Sequence, residues 1–161
     1  MLSVQSFYTL LLLSCLYAAV RGGAPERIGA AIYIVSAVLT TFALSAIPNR
    51  FYSLEVGALM VDTAMLVALA ALALRADRFW PLWVTALQAI GTAAHAVKLA
   101  DPTIHFVGYA FAMAFWSYPM LLVLVLGTWC HRRRLAREGA DRPWSSSSSR
   151  SAATRTPPPD G

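Results

Sequence analysis

Residues 56–74 read VGALMVDTAMLVALAALAL, a run with a single charge, Asp62. One membrane-crossing helix needs about 20 mostly apolar residues, and this stretch meets that requirement. An aspartate at a helix centre costs about 2.5–3.5 kcal/mol on insertion scales, and Val and Leu each return about 0.3–0.6 kcal/mol. The eight Val and Leu residues of the run roughly offset Asp62 on that scale.

Outward from this run the pattern repeats. Met1–Val20, Ile28–Ile47, Phe79–Val97 and Phe106–Cys130 hold no charged residue. The connectors are short and carry turn or charge signals: Arg21–Arg27 with Gly22, Gly23 and Pro25, then Pro48–Arg50, Arg75–Arg78 and Asp101–Thr103. Together these predict an all-α fold, a multi-pass transmembrane bundle of five helices over about 3–20, 28–47, 55–74, 80–99 and 105–130. Residues 136–161, with the Ser145–Ser149 run and Pro157–Pro159, read as a disordered, basic, Ser/Pro-rich cytoplasmic tail.

Composition agrees. Of the 161 residues, 58% are apolar and 13% charged, against about 25% charged in an average soluble domain. That balance argues against a soluble globular protein, and the apolar content excludes disorder over most of the length. Twelve of the thirteen basic residues are arginine, and five fall after residue 133. The net charge of +5 therefore reads as a means of holding one end against anionic lipid, and no nucleic-acid partner is expected.

Orientation follows from counting Lys and Arg in alternate connectors. With the N-terminus outside, the inner side holds Arg21, Arg27, Arg75, Arg78, Arg132, Arg133, Arg134 and Arg137, and the outer side only Arg50 and Lys98. An outside N-terminus and a cytoplasmic C-terminus are expected. Phe51 and Tyr52 read as outer interfacial anchors, and Phe79, Trp80 and Trp129 as inner ones. The first segment is expected to be retained, because Met1–Ser6 lacks the basic residues of a signal peptide. Cys15 and Cys130 fall toward the inner, reducing side and match no disulfide or metal spacing.

Candidate chemistry lies in the polar residues that the spans tolerate. Asp62 lies about 10 Å along the helix from Glu55, and the two share a face. Thr85, Gln88, Thr92 and His95 recur at spacings of three and four and build one polar stripe, with Lys98 a turn further. His105 and Tyr109 are four apart at the start of the last helix. Antiparallel packing would gather Glu55, Asp62, Gln88, Thr92, His95, Lys98, His105 and Tyr109 into one cluster in the outer half of the membrane.

Three readings of that cluster are open. The preferred one is structural: an Asp62 to His95 or Lys98 pair, with Thr and Gln hydrogen bonds, fixes helix register at about 0.6–2 kcal/mol each. The second is a proton or ion relay, since imidazoles change charge near neutral pH. The third is a metal or haem site with His95 and His105 as ligands, although their separation matches no compact ligand motif.

Other marks concern packing. Pro119, within Trp116–Pro119, predicts a bend whose freed carbonyl is satisfied by a neighbour. Gly29, Ala30, Ser36, Thr40, Thr41, Gly57, Ala58, Gly91, Ala93 and Ala94 read as close-packing positions. No catalytic triad elbow, HExxH, phosphate-binding glycine loop or CxxCH is present. The expectation is a protein that is not an enzyme and needs no cofactor or metal.

One stretch carries a resemblance. His95–Lys98, Asp101-Pro102, Tyr109, Trp116–Pro119, Gly127-Thr128 and His131–Arg134 resemble the C-terminal half of a group of small, uncharacterised bacterial multi-pass inner-membrane proteins. The resemblance covers about a quarter of the chain. It implies a location, the bacterial cytoplasmic membrane, and no functional residues. The resulting expectation is an accessory or assembly component whose partners are the lipid bilayer and another membrane protein or a second copy. The alternatives are a small proton-linked or ion-linked permeation protein using Asp62 and His95, and a redox subunit with His-ligated haem.

Overall fold

The computed structural model describes residues 4–45, 51–100 and 106–139, with only the backbone described at 4, 43–45, 51–55, 99 and 106–114. Among these residues the protein is all helical: α1 Val4–Arg21, α2 Ala24–Ser45, α3 Phe51–Arg75, α4 Trp80–Ala100 and α5 Phe106–Glu138. No strand occurs among them.

Three helix ends differ from the pattern in the sequence by four residues or more: α3 starts at Phe51 rather than 55, and the other two have a visible local reason. α2 starts at Ala24 rather than Ile28, because its first turn caps itself. Gly23 accepts from the Arg27 amide at 3.1 Å, and the Glu26 carboxylate reaches back to the Gly23 N–H at 3.0 Å. This is the acidic half of a capping box, with Pro25 in a first turn that tolerates its missing donor. α5 runs to Glu138 rather than Cys130, since Arg, Leu, Ala and Glu after His131 are good helix formers. It stops at Gly139, whose φ of 69° and 3.0 Å amide bond to the Leu135 carbonyl make a left-handed cap. Most of the stretch read as a tail, residues 136–161, lies outside the described residues.

The helices form a closed ring. Each packs on its chain neighbours, α5 closes against α1, and α2 also touches α5. Tyr8 near the start of α1 meets Thr41 near the end of α2 at 3.2 Å, so short connectors and antiparallel neighbours go together. Leu69, Val84 and Leu124 are fully buried on α3, α4 and α5, and Leu11, Cys15 and Ala18 pack toward them from α1.

Tyr33 of α2 donates to the Met120 carbonyl at 3.3 Å, and α5 continues through Pro119 as one helix. The carbonyl that Pro119 leaves without an amide is that of Phe115, so Tyr33 serves a carbonyl just past the proline rather than the freed one.

Many large apolar side chains point outward. Leu12, Leu13, Leu16, Val35, Phe42, Met60, Val67, Trp83, Val97, Phe115 and Leu122 are all exposed, and they come from all five helices. Among the described residues one segment, Val56–Arg75, is by itself long and apolar enough to cross a membrane, and 11% of it is buried. A helix from the core of a soluble protein would be mostly buried. The described parts of the other helices are shorter or carry polar groups such as Glu26, Gln88 and His95.

Candidate functional site

Two buried polar groups lie at opposite ends of α4's inward face, which presents Trp80, Val84, Gln88 and His95. The spacing of these residues follows the helical repeat, so one side of one helix reaches both groups.

The first group contains the residues that the sequence singles out. His95 Nε2 lies 2.8 Å from Asp62 Oδ2, joining α4 to α3. Gln88 Nε2 donates to the Asp62 backbone carbonyl at 3.3 Å, a second tie between the same helices two turns away on α4. Thr92 turns back to its own helix, donating to the Gln88 carbonyl at 2.9 Å, and Thr85 does the same to Pro81 at 2.7 Å. Lys98 is half-buried one turn beyond His95. Glu55 and Tyr109 lie on α3 and α5 with only their backbone described, and His105 lies outside the described residues. The structure thus brings Asp62, Gln88 and His95 together. In haem or metal chemistry His95 would need a second ligand, and no group of three or more His, Cys, Asp or Glu suited to a metal occurs among the described residues.

The second group is one the sequence did not single out. Glu26 is completely buried (0%). Its Oε1 accepts from the Trp80 indole N–H at 2.9 Å, and its Oε2 accepts from the Gly23 amide. Both carboxylate oxygens are therefore hydrogen-bonded, as a buried acid requires. His131 is buried beside them: a Cβ placed on Gly23 would lie 2.9 Å from His131 Cε1 and 3.1 Å from Glu26 Oε2. Thr128, fully buried, donates to the Leu124 carbonyl one turn before it.

Trp80 is the correction here. The sequence suggests an interfacial anchor like Phe79 and Trp129, yet Trp80 is 8% exposed while Phe79 is 84% exposed. Its indole sits between two glycines: a Cβ on Gly29 would come within 2.6 Å of its Cη2, and one on Gly127 within 2.7 Å of its Cγ. Gly29 thus bears out the close-packing reading and Ala30 beside it is buried, whereas a Cβ on Gly91 would meet nothing within 4 Å.

Glu26 stands in a connector rich in Gly, Pro and Arg, where a charge ordinarily signals solvent. The signal that identifies it is its spacing, Gly23 to Glu26 ahead of an apolar run, which is a capping pattern. Nothing local in the sequence shows that Trp80, 54 residues away, supplies the second donor.

Chemically, both groups link helices: His95 and Gln88 join α4 to α3 at Asp62, and the Trp80–Glu26 bond joins α4 to α2. Among the described residues, a groove of about 290 Å³ between α1 and α2 is apolar, lined by Leu11, Leu12, Ile34 and Val38 with Tyr8 and Thr41 among its walls. Neither polar group lines it. No protein family, curated protein or solved structure matches the chain, so the resemblance of His95–Leu135 rests on its residues alone.

Proposed function

We propose that this protein is a five-span helical bundle of the bacterial cytoplasmic membrane, with its N-terminus outside and its C-terminus in the cytoplasm. In this reading it serves as a non-enzymatic accessory or assembly component, packing on another membrane protein or a second copy. One observation carries the proposal: large apolar side chains face outward around the whole bundle while several polar side chains are buried inside it. Apolar side chains are exposed on all five helices, while Glu26, Gln88, His95 and His131 are buried. In water such a surface would promote association, since large exposed apolar patches mark interfaces or aggregation liabilities. In a bilayer it is simply solvated.

The Asp62–His95 contact and the Glu26–Trp80 bond act in this reading as clasps that set helix register, the role polar residues play where lipid offers no hydrophobic drive between helices. The accessory role is tested by affinity purification of the full chain from membranes in mild detergent. Release of the chain into buffer without detergent would overturn the membrane part. A monodisperse single-copy particle with no co-purifying protein would overturn the accessory part.

The Asp62–His95 contact also favours a second reading, proton-linked or ion-linked permeation. Against it stands the apolar layer of Leu69, Val84 and Leu124, all fully buried, between the two polar groups. Asp62→Asn decides between the two. Permeation predicts loss of pH-dependent flux in proteoliposomes, and a register clasp predicts no change in flux.

A further inference from the structure

We infer that the end of the bundle carrying the arginines binds anionic phospholipid headgroups, with the exposed Arg27 and Arg133 as principal contacts. The inference rests on the membrane reading above and names the lipid class that this end selects.

The geometry that gathers the charge is explicit. The Glu26–Trp80 bond brings the starts of α2 and α4 together, and Trp80 against Gly127 adds the last turns of α5. Arg21 and Arg75 close α1 and α3 at the same end. Among the described residues the carboxylates there do not balance this charge: Glu26 is buried and already hydrogen-bonded, and Asp77 and Glu138 are exposed.

Helix dipoles explain only some of these arginines. A cation at a helix C-terminus is favourable, which accounts for Arg21, Arg75 and those ending α5. Arg27 sits in the first turn of α2 and Arg78 two residues before α4, where the dipole favours an anion and opposes a cation. The Glu26 carboxylate already caps the start of α2, so an external anion at this end would interact with the exposed guanidinium groups of Arg27 and Arg133.

The aromatic residues choose between a lipid and a free anion. The Arg133 guanidinium stacks over the Trp129 ring, 4.7 Å from its centroid, which holds the charge at one height on α5. Trp129, Trp83 and Phe79 are exposed at this end, and Leu122 and Leu126 continue the exposed surface along α5. A phosphate ion would use the arginines alone. A phospholipid uses both, its phosphate against the guanidinium groups and its acyl chain along Leu126 and Leu122, with the indoles at headgroup level.

The test compares phosphatidylglycerol with phosphatidylcholine of the same acyl chains, titrated onto the full-length protein in neutral detergent and read by native mass spectrometry. Tighter binding of phosphatidylglycerol is expected, with a loss of about fivefold for each arginine removed in Arg27→Gln, Arg133→Gln and the double variant. Arg133→Lys keeps the charge and most of the preference. Trp129→Leu keeps the charge but loosens its position, giving a smaller loss than Arg133→Gln. Equal binding of the two lipids, or a preference unchanged in the double variant, would overturn the inference, as would complete displacement by equimolar inorganic phosphate. Arg27 and Arg133 are exposed, so the variants are expected to keep the parent's helical circular dichroism. A chain that stays soluble without detergent fails the membrane reading, whereas one that needs detergent but shows no lipid preference fails only this inference.

Discussion

Glu26 shows how much one buried residue organises here. Its two oxygens receive the Trp80 indole and the Gly23 amide, so removing the side chain leaves two donors without an acceptor. An unsatisfied buried donor costs about 1–3 kcal/mol. Glu26→Ala should therefore lower stability by several kcal/mol in an SDS titration followed by circular dichroism. Glu26→Gln, which retains one carbonyl oxygen, should cost about 1–3 kcal/mol. Equal midpoints for Glu26→Ala and the parent protein would show that the carboxylate holds nothing. The glycines around Trp80 make a complementary prediction. Gly127→Ala places a methyl against the indole and should cost about 1–3 kcal/mol by overpacking. Gly29→Ala, whose methyl would meet the indole's Cη2 and Cζ3, should cost less in combination with Trp80→Phe than the sum of the two single changes, since phenylalanine lacks those atoms. Strict additivity in the same titration would contradict the contact.

At the scale of elements, α3 and α4 are joined by the clasp of Asp62, His95 and Gln88. If the clasp sets their register, Asp62→Ala and His95→Ala should be coupled by about 0.6–2 kcal/mol in a double-mutant cycle. A coupling near zero would mean that the 2.8 Å contact contributes nothing to pairing. The stripe of Thr85, Gln88, Thr92 and His95 was legible in the sequence because helical spacing puts polar residues on one face. What it could not show was that Thr85 and Thr92 bond their own helix, whereas Gln88 and His95 cross to α3. Spacing gives the face of a residue; whether its hydroxyl or amide turns inward or back depends on the distance to the next helix.

For the whole molecule, among the described residues, Arg21, Arg27, Arg75, Arg78 and the arginines of the last turns of α5 fall at one end of a closed ring. If the chain crosses the membrane five times in the proposed orientation, a reporter fused at Asn49 should report the outside and one fused after Gly139 the cytoplasm. Asn49 on the cytoplasmic side would overturn the orientation and the charge count behind it. Moving Arg to the other side, as in Asn49→Arg combined with Arg75→Gln and Arg78→Gln, should lower the fraction inserted in that orientation, read with the same reporters.

The sequence by itself determined the five helices, their short connectors, the apolar character of their surfaces and the one-sided distribution of arginine. These are properties of composition and period, and each is readable within a window of about 20 residues. Tertiary structure decided what those windows cannot contain. It turned Trp80 from an apparent surface anchor into a core residue between Gly29 and Gly127, and Glu26 from an apparent loop charge into a buried acceptor. Of the two partners the sequence offered for Asp62, His95 and Lys98, it placed the His95 imidazole at 2.8 Å. The physical reason is the same in each case. A polar atom removed from water must find a partner, and that partner lies on another helix, at a sequence distance that no local pattern encodes.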